Sequence, residues 1–221
     1  MSAERVAEVF DPSARTVGSG WFVTPQLVLT VWHAVGGTAR DGEPAPGEPP
    51  PRRPLSPAAL DELARDRARC RVRALADARR GHSFRDAVTV WWRPECDMAL
   101  LLVTDVHQPA SRAGWAPTYW ADLTSADPVD VTAVGFPDHD VVSGMRESRQ
   151  FSGIVHPLSG VRSGQWVITT SALARPTPGS GWAGMSGAAL FAGDRLVGIV
   201  TADAGGRSGP VAELRAVPAA A

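Results

Sequence analysis

The chain has 221 residues, 44% of them hydrophobic, and a formal net charge of −1. That length can bury a sizeable core in one or two domains, and the near-zero charge gives no general case for binding nucleic acid or an anionic membrane surface. No apolar run approaches the ~20 residues of a membrane-spanning helix, and residues 1–8 lack the apolar core of a secretory signal.

Cys70 and Cys96 are the only cysteines, so a disulfide framework is excluded and a reducing, cytoplasmic compartment is expected. All 22 basic residues are arginine. The absence of lysine excludes a Ser-Lys dyad, a phosphate-loop lysine and a Schiff-base lysine together. The five histidines and two cysteines show no zinc-ligand spacing, and neither a metal nor a cofactor is expected.

Taken in chain order, Gly18-Ser19-Gly20-Trp21-Phe22-Val23-Thr24-Pro25 reads as a strand closed by a proline turn. A second strand over 27–31 runs into Trp32-His33. Residues 41–57 form a proline-rich loop. Ser56-Pro57 then resembles a helix start, and a short helix is expected over 58–69. Arg65, Arg67, Arg69, Arg71, Arg73, Arg79 and Arg80 are diluted by Asp66 and Asp77 and lack interleaved aromatics. They read as a solvated face rather than a nucleic-acid surface. Further strands are expected over 88–92, 99–103, 129–134, 166–170 and 195–201, with a connector near 109–124. Many short strands broken by Gly, Pro, Asp and Ser indicate a sandwich or a barrel.

Three of these segments carry chemistry. Gly184-Met185-Ser186-Gly187-Ala188 places a serine between glycines in a tight turn, where its hydroxyl can project and neighbouring N–H groups can face a developing anion. His33 follows an apolar strand and supplies a base, and Asp97 heads the apolar run 98–103 and supplies an acid to orient it. The order His33, Asp97, Ser186 excludes an α/β-hydrolase, which needs Ser, acid, His and a Gly-x-Ser-x-Gly elbow. No histidine follows Ser186.

These motifs together, with Val134-Gly135-Phe136-Pro137, resemble those of trypsin-like, chymotrypsin-fold serine peptidase domains of bacterial, intracellular type, over residues 17–217. The resemblance implies an all-β fold of two six-stranded antiparallel barrels, about 1–115 and 116–221 of a single peptidase domain, with the active site in the cleft between them. It implies a serine endopeptidase acting through an acyl-enzyme on a protein or peptide substrate. His33, Asp97 and Ser186 would be the triad, and the backbone N–H groups of Gly184 and Ser186 the oxyanion hole. Ser180 would lie near the base of the specificity pocket. Thr201, Ala202 and Asp203 would form the substrate-binding edge, with Thr201 also supporting Asp97 by a hydrogen bond.

Met185 stands where zymogen-type members carry an aspartate, so activation by N-terminal processing is not expected. The closing C-terminal helix usual in the fold is missing from 214–221, which suggests a chain cut from a longer protein. Such domains are often joined to signalling or NTPase modules in bacterial regulatory or defence proteins. The alternative reading is a latent or inactive protease-fold module that binds a peptide or partner protein.

Overall fold

The computed structural model describes residues 2, 4–35, 69–79, 81, 83–104, 115–138, 140–142, 145–170, 182–203 and 212–219. In the N-terminal half, strands β1 (Val6–Asp11), β2 (Thr16–Phe22), β3 (Leu27–Val31), β4 (Arg69–Ala74), β5 (Arg85–Arg93) and β6 (Met98–Val103) close into an antiparallel barrel in the order β1-β2-β3-β6-β5-β4. In the C-terminal half, β7 (Val129–Gly135) is followed by a small hairpin, β8 (Val141–Val142) with β9 (Met145–Arg146). Then come β10 (Arg149–His156), β11 (Trp166–Thr170), β12 (Ala189–Ala192), β13 (Arg195–Asp203) and β14 (Ala212–Pro218). With β7 they form a second closed barrel, ordered β10-β11-β14-β13-β12-β7. Closure pairs every strand of each barrel with a neighbour on both sides over at least part of its length. The only α-helix among the described residues is α1 (Leu75–Arg79).

Each barrel has its own core. Phe22, Val72, Leu101 and a stacked Trp32–Trp92 pair, with ring centroids 5.2 Å apart, fill the first. Phe151, Ile168, Leu190 and Leu214 fill the second. Two further apolar clusters join them. Val6 and Trp21 of the first barrel pack with Phe136, Phe191 and Leu196 of the second. Leu29, Val31 and Met98 pack with Ile199 and Val217. The barrels are thus held at a dry seam, and a cleft opens along one side of it.

The two-barrel architecture agrees with the expectation from sequence. Strands β3 and β11 fall on their expected residues, and β5, β6, β7 and β13 extend theirs by one to three residues at an end. The region 58–69 differs. Residues 58–68 lie outside the described ones, and Arg69 opens strand β4 instead of ending a helix. In β4 the period is two. Cys70, Val72 and Ala74 point into the core, while Arg71 and Arg73 point outward. Nor is Arg73 part of a solvated face. It lies opposite Glu8 in the β1–β4 ladder and is buried against it at 2.7 Å. The end of the chain, where no element was expected, supplies β14, which closes the second barrel between β11 and β13.

Cys70 is completely buried, and burial, with the nearby Asp11 charge second, pushes its thiol up to about 12. A raised thiol pKa keeps the unreactive protonated form. We expect iodoacetamide at pH 8 to leave Cys70 unmodified in the native protein and to alkylate it once the chain is unfolded in guanidinium. Mass spectrometry of the Cys70 peptide checks this, and native-state labelling as fast as in the unfolded chain would contradict it.

Candidate active site

The cleft is built from three segments whose backbones are specialised for it. The first follows β3. A 3₁₀ turn over Trp32–Val35 carries His33, and its neighbour Trp32 anchors the turn by stacking on Trp92 in the core. The second is the entry to β6. A 3₁₀ turn over Pro94–Cys96 ends at Asp97, whose φ of 52° is left-handed. Aspartate tolerates that region better than most residues because its short polar side chain can bond locally. The bend delivers the Asp97 carboxylate back to the β3 turn. One oxygen accepts the His33 backbone N–H at 2.9 Å, and the other lies 2.6 Å from His33 Nδ1. The Trp32 N–H adds a bond to the Asp97 carbonyl at 3.1 Å. An ionised carboxylate only accepts, so the proton of a neutral His33 sits on Nδ1 and its Nε2 is left as an acceptor.

The third segment is the turn from Trp182 to Ala188. Gly184 and Gly187 have φ of 90° and 91°, a region that side-chain-bearing residues avoid. A Cβ on Gly184 would strike the Phe136 carbonyl oxygen, and one on Gly187 the Ser19 carbonyl oxygen. The turn is tied down by Met185 N–H to Trp182 O at 3.0 Å, Ala188 N–H to Met185 O at 2.9 Å and Gly187 N–H to Val200 O at 2.7 Å. The N–H groups of Gly184 and Ser186 make no hydrogen bond among the described residues. Two backbone donors on either side of Met185 are therefore available at one place. Met185 itself is completely buried in the second barrel's core.

His33, Asp97, Gly184, Ser186 and Thr201 line one cavity of about 580 Å³, together with Arg15 of the β1–β2 turn and the ion pair Arg146–Asp138. Arg15 and Asp97 are the two non-glycine residues with positive φ among those described, and both line this cavity. Strain of that kind clusters at functional sites.

Of the expected site residues, His33, Asp97, Gly184, Ser186 and Thr201 are brought together in this cavity, with a difference at Thr201. Thr201 is the extra residue of a bulge in β13, where Val200 faces Ala216 and Ala202 faces Arg215. Bulges re-aim groups next to active sites. Here the bulge turns the Thr201 carbonyl toward Ser186, whose hydroxyl donates to it at 3.0 Å. A hydroxyl has one proton, so Ser186 does not donate to His33 in this state. The bond expected from Thr201 to Asp97 is not made, because Thr201 Oγ1 is buried without a partner. Ala202 and Asp203 continue β13 and pair with Arg215 and Leu214 on one side, while β12 pairs with β13 only as far as Ile199. Ser180 lies outside the described residues.

Sequence reasoning passed over Ser19. It is completely buried at the contact between β2 and the serine turn, and both its N–H and its hydroxyl donate to carbonyls of that turn. In the sequence the position is only the middle of a Gly-Ser-Gly strand segment, and nothing in a single sequence distinguishes a bridging serine from a turn serine.

Set against known proteins, residues 18–199 match the family model described as trypsin-like peptidase domain, and the chain belongs to that family. It is a serine protease domain, whose substrates are proteins or peptides. No curated protein matches the chain. Among solved structures it is similar to an inactive form of the Rv3671c protease, at 16% identity and a TM-score of 0.57, covering 99% of this chain and 85% of that one. A serine-to-alanine mutant of Rv3671c from M. tuberculosis H37Rv, also in an inactive form, gives 16% identity and 0.56, with 99% and 82% covered. Deg5 gives 18% identity and 0.56, with 98% and 84% covered. At those identities the likeness is one of fold. No helix among the described residues is long and apolar enough to cross a membrane, and no cluster of three or more His, Cys, Asp or Glu suited to a metal occurs among them.

Gly187 combines a positive φ with backbone contact to Ser19. Gly187→Ala is expected to destabilise the protein by about 2–6 kcal/mol, from ~1–3 of backbone strain and ~1–3 of overpacking. Urea denaturation followed by tryptophan fluorescence measures it, and a change below about 1 kcal/mol would contradict the assigned backbone geometry.

Proposed function

We propose that the chain is a serine endopeptidase whose triad is His33, Asp97 and Ser186. The observation that carries this is the two-point attachment of His33 to Asp97, beside a glycine-flanked serine with two backbone N–H groups that make no hydrogen bond among the described residues, all lining one cavity. In the acylation step His33 Nε2 removes the Ser186 proton as Oγ attacks the peptide carbonyl carbon. The carbonyl oxygen becomes an oxyanion held by the Gly184 and Ser186 N–H groups. Asp97 stabilises the imidazolium and holds its tautomer. His33 then gives the proton to the leaving amine, the C–N bond breaks, and the acyl group stays on Ser186. Water, deprotonated by His33, adds to the ester carbonyl. Collapse releases the carboxylic acid and returns the proton to Ser186. No step calls on a metal or a cofactor.

The substrate backbone on the acyl side adds as a strand to β13 at Thr201, Ala202 and Asp203, on the edge that β12 leaves uncovered. Before reaction the Ser186 hydroxyl must leave the Thr201 carbonyl and rotate toward His33, so the state described is a resting one.

That same hydrogen bond favours the second reading, a latent module whose site is completed by a partner. The module reading places the domain in a larger bacterial, cytoplasmic regulatory or defence protein, where a tethered signalling or NTPase module supplies the trigger. In neither reading does the domain bind nucleic acid or a membrane.

The test is hydrolysis of casein and of a fluorogenic peptide library. Ser186→Ala and His33→Ala are expected to abolish turnover, and Asp97→Asn to lower kcat about 10⁴-fold by mis-setting the histidine tautomer. Circular dichroism should show each variant folded. Turnover that survives Ser186→Ala would overturn the assignment.

A further inference from the structure

We propose that Ser19 is the positioning residue of this active site. Its hydroxyl, reaching from the N-terminal barrel, presets the oxyanion-binding turn of the C-terminal barrel. The inference rests on the proposed peptidase reading and adds a residue to it.

Ser19 is completely buried, and every polar group it has is engaged. Its N–H donates to the Ser186 carbonyl at 2.7 Å. Its Oγ donates to the Gly184 carbonyl at 2.6 Å and accepts the Phe136 N–H at 2.9 Å. Its own carbonyl accepts the Thr30 hydroxyl at 2.7 Å. Two of these bonds end on the serine turn, at the carbonyls of Gly184 and Ser186. Those carbonyls fix the peptide planes just after the two residues whose N–H groups serve the oxyanion. A third ties in Phe136, whose carbonyl crowds Gly184. One hydroxyl thereby sets the turn against both β2 and the end of β7.

Among the described residues, the hydrogen bonds that reach the turn from the first barrel are those of Ser19. Its own buried side chains, Trp182, Met185 and Ala188, pack in an apolar cluster. Apolar packing holds a segment in place but does not orient its peptide planes. Hydrogen bonds do, because both distance and angle are restricted. A residue at position 19 must also be small. A Cβ on Gly135 would come within 2.5 Å of the Ser19 Oγ, so the space is filled. Serine donates and accepts through one atom within that volume. Alanine would leave a buried carbonyl and a buried N–H without partners.

The expected signature is a loss in kcat, since misdirected oxyanion donors act on the transition state. KM should stay, since the β13 edge does not touch Ser19. Ser19→Ala is compared with the parent and with Val72→Ala, a core truncation in the same barrel. Gly135→Ala, which displaces the same hydroxyl from the opposite side, is the second probe. We expect Ser19→Ala to lower kcat about 100-fold with KM within threefold, and to raise amide hydrogen exchange at 182–190 at least tenfold with 166–170 unchanged. Gly135→Ala should move both readouts the same way, and Val72→Ala should lower the melting temperature with kcat unchanged. Unchanged exchange at 182–190 in Ser19→Ala or, if that variant does not fold, in Gly135→Ala would overturn the proposal. So would a loss in kcat that Val72→Ala reproduces. If the parent itself turns over no substrate, the peptidase reading fails, and the exchange measurement alone decides the positioning role.

Discussion

The proposed site depends on a few hydrogen bonds that cross from one barrel to the other. The histidine and the aspartate belong to the first barrel and the serine to the second, so no single core can set their separation. The apolar seam of Val6, Trp21, Phe136 and Phe191 brings the barrels together, but non-directional packing leaves their fine registration open. Ser19 supplies the direction. Its bonds to Ser186, Gly184 and Phe136 make the serine turn an extension of strand β2. The glycines at 184 and 187 follow from that constraint. The turn lies so close to Phe136 and Ser19 that a side chain at either position would strike backbone oxygen.

The two halves of the site are in different states of readiness. The His33–Asp97 unit is set, with both carboxylate oxygens used on a single residue and the aspartate backbone bent to deliver them. The serine is not, since its hydroxyl donates to the Thr201 carbonyl. The bulge at Thr201 explains both that contact and the missing support to Asp97, because one extra residue moves the carbonyl in and leaves the hydroxyl buried and unpartnered. A buried hydroxyl without a partner is costly.

How much of this was legible in the sequence follows from the kind of signal each part emits. The three site motifs were legible because nucleophile, base and acid need particular residue types beside glycines or at strand ends. Strands β3, β6 and β13 were legible as apolar runs bounded by turns. Strand β4 was hidden because its outward positions are arginines, and a run of arginine reads as solvent-facing when the partner strand is unknown. Glu8, the partner of Arg73, lies 65 residues away in the chain. Strand β14 was hidden at an end rich in alanine, where its neighbours β11 and β13 supply the pairing. Ser19 and the bulge at Thr201 are products of tertiary registration, which local sequence does not encode.

The central claim is that His33, Asp97 and Ser186 act as one nucleophilic unit. Intact-mass detection of a fluorophosphonate adduct tests it most directly, because the probe needs an activated serine and no knowledge of the substrate. The account predicts a single adduct on the parent, mapped to Ser186 and absent from Ser186→Ala. No adduct on the parent, or one that persists in Ser186→Ala, would contradict it.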